Sequence, residues 1–153
     1  MIQRQSPTNV VGIWRADNSE CMSLMPIPIN IYSALWNNGD LLGLKCTDGL
    51  AAILSERRGP EIPASLHPTD MQLSYVHPPW IDRFPFPKMR DNFIALLGLI
   101  DTEDFLYDLF NGPSFSLTPG GASWDPAAWT IEANWKKKWG FLFGQDLSSA
   151  VGA

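Results

Sequence analysis

The sequence predicts a mainly α protein, a compact bundle of about five helices wrapped by a long Pro-rich segment, with one or two short strands. Two observations carry this reading. Apolar residues recur at helical spacing in several stretches, among them Met89, Phe93, Leu96, Leu97 and Ile100, and Ile131, Trp135, Trp139 and Leu142. Seven of the 13 prolines lie between Pro60 and Pro87. Their fixed φ and missing N–H groups bar helix interiors and central strands, so this segment is expected to run over the helices rather than enter the core.

The elements follow in order. Residues 1–23 carry no sustained periodicity and read as a loosely held arm, in which Val10, Val11, Ile13 and Trp14 suit a short strand or an anchor. Pro26 and Pro28 mark a helix entrance, and Ile27, Ile31, Leu35, Leu41 and Leu42 give a stripe interrupted at Asn37, Asn38 and Gly39. Glycine in mid-helix costs about 1 kcal/mol against alanine, so Gly39 implies a kink or a close neighbour. Asp48 is placed to cap a second helix through Leu50, Ile53 and Leu54, stopped by Gly59 and Pro60.

Thr69 and Gln72 stand at capping-box spacing, which suggests a turn of helix over 69–75. Pro87 suits a first helical turn, where its missing N–H costs nothing. Asp101 and Asp104 are candidate caps for the next helix, with Phe105, Leu106, Leu109 and Phe110 as its apolar face and Asn111-Gly112-Pro113 as its stop. Ser114 to Thr118 alternates as a short strand does, and Asp125-Pro126 starts the last helix or its approach. The expected organisation is an arm over 1–23, one helical domain over 24–146 and a tail over 147–153.

At 153 residues the chain is long enough to bury a core without staples, and its 45% hydrophobic content suits a globular protein. The N-terminus is polar and has no apolar signal segment, and no apolar run approaches the length of a membrane span, so an intracellular place, cytoplasmic or nuclear, is expected. Sixteen acidic residues against 11 basic ones argue against direct nucleic-acid contact, and Lys136, Lys137 and Lys138 read as a solvated helix face. No basic region with leucine heptads is present. Cys21 and Cys46, with only His67 and His77 to join them, make no ligand cluster, so no metal is expected. Cofactor fingerprints and nucleophile elbows are missing too, and no cofactor is expected.

The densest stretch is HPPWIDRFPFPKMRDN, His77 to Asn92. His77 has an ordinary pKa suited to proton transfer at neutral pH; the alternative is a ring nitrogen bonded to a main-chain carbonyl, locking the turn. Asp82 is placed either to orient His77 or to cap a turn. Arg90 suits a buried lock to Asp82, Asp91 or Asp125, or an anion or carbonyl clamp. Asp91 meets the positive end of its helix, and Asn92 is expected to reach back to the Pro-rich wrap. These three side chains, His77, Asp82 and Arg90, are the candidate catalytic set. Trp80, Phe84, Trp124, Trp129, Trp135 and Trp139 are the candidate ligand-binding set, against the alternative that helical spacing makes them core.

The same block, extended as HPPWIDRFPFPKMRDNFI, resembles the signature of a fungal domain of unknown function usually found at the C-terminal end of bZIP-type transcription regulators. There a His-Pro-Trp-Ile-Asp segment precedes a Pro-Phe-Pro turn and an Arg-Asp-Asn helix start. INIYSALWNNGDLLGL, Ile29 to Leu44, is similar to that family's first helix, and WDPAAWTIEANWKKKWGFLFG, Trp124 to Gly144, to its closing Trp-rich helix. The resemblance spans roughly residues 24–146. It implies a helical domain in a regulatory setting and assigns no chemistry.

Two functions fit. The leading expectation is a small-molecule-binding protein of fungal specialised metabolism that steers cyclisation or isomerisation of a hydrophobic intermediate through a shaped aromatic pocket. The alternative is a regulatory or protein-interaction domain, as a homodimer or with a partner protein. An enclosed cavity beside Trp80 and His77 favours the first, and a filled interior the second.

Overall fold

A computed structural model describes residues 30–45 and 51–144. The N-terminal arm, both cysteines, the Pro26–Pro28 helix entrance with Ile27, the Asp48 cap with Leu50, and the tail from 147 lie outside the described residues. The described part is mainly α with one small sheet, in agreement with the periodicities.

Helix α1 spans Ile31–Leu41. Asn30 caps it, its Oδ1 accepting from Ser33 N at 3.0 Å while Ser33 Oγ accepts from Asn30 N at 2.8 Å, so two end donors are satisfied reciprocally. The helix runs through Asn37, Asn38 and Gly39 without interruption. Gly39 marks the close neighbour instead: a Cβ there would lie 2.1 Å from a terminal guanidinium nitrogen of Arg83. After α1, Gly43 takes φ of 75°, the left-handed turn that glycine tolerates best.

The helix expected through Ile53 and Leu54 does not form. Ile53 exchanges both main-chain hydrogen bonds with His77, each 2.9 Å, and Ser55 N donates to Gln72 O at 3.0 Å. These long-range partners replace the helical ones, and a short apolar run cannot distinguish the two states by itself. Helix α2, Asp70–Ser74, carries the foreseen Thr69–Gln72 capping box.

The Pro-rich segment divides in two. From Pro60 to Val76 it lies mostly at the surface, with Leu66 and Gln72 turned inward. From His77 to Pro85 it enters the core, in contrast to the expected surface wrap: a 3-10 turn over Pro79–Arg83 is buried at every position. Prolines lack the donors that make a buried loop costly, and the polar groups that remain find partners, described below. Helix α3, Pro87–Ala95, then starts on proline as foreseen. Leu96, Leu97 and Ile100, expected on its face, follow its end and still pack against the core.

Helix α4 spans Thr102–Asn111, with Asp101 Oδ1 accepting from Asp104 N at 3.1 Å. Strands β1, Phe115–Leu117, and β2, Trp129–Ile131, pair antiparallel with Phe115 opposite Ile131 and Leu117 opposite Trp129. Strand β2 takes Ile131 out of the expected last helix. Helix α5 covers Ala133–Trp139 and α6 Phe141–Gly144. Phe105 of α4 is the hub of the core, its ring within 4.8 Å of Phe93, 5.1 Å of Trp139, 5.7 Å of Trp135 and 5.9 Å of Trp80. Burial of such rings stabilises by roughly 1.5–3 kcal/mol each.

Candidate functional site

The Ile53–His77 bridge and the α2 capping box bring three sequence-distant segments together around one buried polar chain. His77 and Arg90 are both 0% exposed. His77 Nδ1 stands 2.7 Å from Tyr75 O and Nε2 stands 2.8 Å from Asp82 Oδ1. Both partners are acceptors, a pairing that favours the ring with both nitrogens donating, the cationic form. Burial opposes that charge most strongly; the Asp82 hydrogen bond, the Tyr75 carbonyl and the charge of Asp82 outweigh it against a smaller push from Arg90, and the pKa stands above the ordinary 6.5.

Asp82 accepts from three sides. Besides His77, Gln72 Nε2 donates to Oδ1 at 2.8 Å and Ser55 Oγ to Oδ2 at 2.5 Å. Gln72 Oε1 in turn accepts from Thr69 N at 3.0 Å and Arg90 Nε at 2.7 Å. Arg90 spends three of its four remaining N–H donors on main-chain carbonyls: Ser65 at 2.9 Å, Phe84 at 2.5 Å and His67 at 2.8 Å. Burial lowers its pKa to about 10 despite the nearby charges of Asp82 and Asp91, which leaves it protonated at neutral pH. The foreseen Arg90 lock exists, yet its direct partners are carbonyl oxygens and Gln72. Asp91 instead takes the Thr69 hydroxyl at 2.5 Å, and Asn92 Nδ2 bonds Leu142 O at 2.8 Å, reaching α6 rather than the wrap.

Ser55, His77 and Asp82 meet without forming a nucleophilic triad. In such a triad the serine and the carboxylate engage opposite ring nitrogens, and the base keeps a lone pair for the hydroxyl proton. Here both approach Nε2, with Ser55 Oγ at 3.1 Å, and the serine proton points to the carboxylate. With both ring nitrogens donating, no ring lone pair is left to act as a base. The arrangement is suited to fixing three chain segments at one point.

A second buried network lies across the strap. Asn38 Nδ2 donates to Arg83 O at 2.9 Å and Ser123 O at 3.0 Å, and its Oδ1 accepts from Ser123 Oγ at 2.8 Å. The Arg83 guanidinium bonds Leu35 O at 3.3 Å and Lys45 O at 3.2 Å. Gln72, Ser55, Asn38, Arg83 and Ser123 were not identified as network members from sequence. Only Gln72 carried a local signal, its capping-box spacing.

The candidate ligand-binding aromatics divide. Trp80 and Phe84 are buried in the core, 6.2 Å apart between ring centres. Trp129 is buried too, its Nε1 donating to Ser123 O at 2.9 Å. Trp124 stands apart, 40% exposed, with its main-chain oxygen accepting from the Ser65 hydroxyl. Trp135 and Trp139 line an open cleft of about 230 Å³ between α4 and α5, with Tyr107, Asp108, Pro113 and Lys138. Trp139 Nε1 donates to Asp108 Oδ2 at 2.9 Å, and Lys138 Nζ pairs with Asp104 at 2.8 Å and Asp108 at 2.9 Å. Trp135 Nε1 is a buried donor with no acceptor among the described residues.

Among the described residues no group of His, Cys, Asp and Glu is placed to hold a metal ion, and no helix is long and apolar enough to cross a membrane. A family model described as a domain of unknown function, DUF3425, matches residues 55–149. No curated protein and no solved structure matches the chain significantly.

Proposed function

The chain belongs to the DUF3425 family, and from that premise we propose that it is a protein-interaction module, of the regulatory kind suggested by the resemblance to domains attached to bZIP-type transcription regulators. One observation carries the reading: the block richest in reactive side chains is sealed. His77 and Arg90 are fully buried, and the hydrogen-bonding capacity of the His77 ring is committed. Steering a hydrophobic intermediate calls for a concave site with groups free to engage it. Trp80, Phe84 and Phe105 instead pack on one another beside this block.

What the fold leaves outside supports the same reading. Leu54, Tyr75 and Val76, respectively 47%, 58% and 62% exposed, flank the Ile53–His77 bridge. A second apolar feature is the α4–α5 cleft. Exposed apolar residues grouped on a rigid frame are the usual materials of an interface.

The experiment compares capture of cellular partners by the tagged wild type and by surface variants with unchanged melting temperature, Tyr75→Ser with Val76→Ser beside the Ile53–His77 bridge and Tyr107→Ala in the cleft. Specific loss in at least one supports the reading. Capture indifferent to every exposed position, together with a change in turnover of a hydrophobic metabolite on Trp80→Phe, would overturn it in favour of the metabolic function.

A further inference from the structure

We propose that Asn111 is a site of spontaneous deamidation, its side-chain amide attacked by the main-chain nitrogen of Gly112, so that a neutral part of the α4–α5 cleft wall becomes anionic. The inference concerns the chain's own chemistry and does not depend on any occupant of the cleft.

The sequence holds two Asn-Gly pairs, Asn38-Gly39 and Asn111-Gly112. Glycine after asparagine leaves this attack least hindered, because no Cβ stands beside the approaching nitrogen. The fold treats the two pairs in opposite ways. Asn38 is fully buried within α1, its Nδ2 donating to Arg83 O and Ser123 O and its Oδ1 accepting from Ser123 Oγ. Both ends of that amide are committed, and Gly39 is buried beside it.

Asn111 is the last residue of α4, and Gly112 beyond it is exposed. The N–H groups that follow other helices turn back into them: Leu42 N bonds Asn38 O, Leu96 N bonds Asn92 O and Gly140 N bonds Lys136 O. Gly112 N makes no such bond among the described residues. Its φ of −142° and ψ of 175° carry the chain out of the helix, so the nucleophile is neither tied to a carbonyl nor covered. One exposed hydrogen bond restrains the side chain under attack, from Asn111 Nδ2 to Tyr107 O at 3.0 Å. Helix ends open far more readily than buried networks.

The reaction balances with water alone. Gly112 N gives its proton to solvent base and bonds Asn111 Cγ, the Cγ–Nδ2 bond breaks, and ammonia leaves a five-membered imide. Water then opens the ring. Addition at Cγ gives aspartate, and addition at the main-chain carbonyl gives isoaspartate, in which the chain runs through the former side chain. One amide and one water become a carboxylate and ammonium, and nothing is oxidised or reduced.

The product alters the place where it forms. Asn111 lines the cleft with Asp108, which already shares the Lys138 ammonium with Asp104. A new carboxylate joins that acidic group at the negative end of the α4 dipole, and the donor to Tyr107 O is lost.

The test incubates the full chain for weeks at mildly alkaline pH and maps it by mass spectrometry, with electron-based fragmentation to tell isoaspartate from aspartate. Position 111 should show the mass gain of an amide-to-acid change and carry both products. Asn38 should react at least about tenfold more slowly, since it waits on local unfolding. Gly112→Ala should slow position 111 many-fold. The added Cβ would lie 3.9 Å from Asp108 O, an ordinary contact, and the φ suits any residue, so the fold is kept. Asn111→Asp should lower the melting temperature by a few degrees.

An unmodified Asn111 under conditions that deamidate a synthetic peptide of residues 107–115 overturns the proposal, as does equal reaction at Asn38. Mass gain without isoaspartate, or a rate unchanged in Gly112→Ala, overturns the attack by Gly112 N. An Asn111→Asp chain as stable as the wild type overturns the stated effect on the end of α4.

Discussion

The buried block around His77 and the cleft beside Trp135 are built from similar materials, aromatic rings with a few charged and hydrogen-bonding groups, and they end in opposite states. In the block each named donor meets an acceptor: His77 both of its two, Arg90 four oxygens, Gln72 both ends of its amide. Beside the cleft one buried indole donor is unpaired, and the cleft itself is open to solvent. A dense cluster of reactive residue types is therefore a poor indicator of chemistry. Whether capacity is left over at an accessible atom matters more, since a saturated buried network rigidifies a fold and leaves nothing to offer a ligand.

The contrast breaks most visibly at Arg90. Arg90→Ala removes four hydrogen bonds, taking a donor from the Ser65, His67 and buried Phe84 carbonyls and leaving Gln72 Oε1 with Thr69 N alone, a loss of about 3–5 kcal/mol by analogy with breaking a buried charged network. Denaturant unfolding should show it as a lower midpoint at unchanged slope. Arg90→Lys should recover only part, because an ammonium cannot reproduce the planar fork that reaches Ser65, Phe84 and His67 together. Stability near wild type in Arg90→Ala would mean that the block is not structural and that a chemical role must be reconsidered.

Gly39→Ala is the next largest. In an ordinary helix interior the change stabilises by up to about 1 kcal/mol. Here the new Cβ would fall 2.1 Å from the Arg83 guanidinium, which is held by the Leu35 and Lys45 carbonyls and has little room to retreat. The sign should reverse, to a net destabilisation of about 1–3 kcal/mol. A stabilised Gly39→Ala would show that Arg83 does not hold the strap to α1.

His77 gives a smaller effect with a definite pH dependence. Its folded pKa is raised, so its contribution is fully present below the unfolded value near 6.5 and is lost as pH rises through the folded value. Urea midpoints measured from about pH 6 to about pH 9 should fall more steeply in wild type than in His77→Gln, whose side chain does not titrate. Parallel curves would show that the imidazole is not held as a cation.

How much of this was readable beforehand depends on the range over which each feature is decided. Locally decided features were legible: the Pro87 helix start, the Asp101 cap, the Thr69–Gln72 box and the stop at Asn111-Gly112. Features decided across the chain were not. Ile53 bonds His77 instead of continuing a helix, and Ile131 pairs with Phe115 instead of joining the last helix. In both cases a distant partner decides between two states that the apolar pattern allows. The buried His77–Pro85 strap was misread for a related reason. Proline content argues against regular structure, which is correct, but exclusion from the core does not follow when Asn38 and Arg90 supply the missing donors to Arg83 O and Phe84 O. For the site, sequence located His77, Asp82 and Arg90 but not Gln72, which links Asp82 to Arg90 and stands 10 and 18 residues away from them.

The smallest expected effect sharpens the comparison from the side of the cleft. Asp108 is held below the ordinary carboxylate range: partial burial opposes this, and the hydrogen bonds from Lys138 and Trp139 with the charge of Lys138 outweigh it. Its contribution is therefore present above the unfolded value near 3.9 and fades as pH falls through the lowered folded value. Asp108→Asn keeps a side-chain oxygen for Trp139 Nε1 and removes only the charge. Because the pair is solvent-exposed, the melting temperature at neutral pH should fall by no more than about 2 °C. Raising salt from about 0.01 to about 1 M should erase that difference, since screening shortens to a few ångströms. The same salt change should leave the Arg90→Ala deficit intact, because Arg90 is fully buried and buried charges are screened much less. A salt-resistant Asp108 and a salt-sensitive Arg90 would invert the assignment of one region as sealed and the other as open.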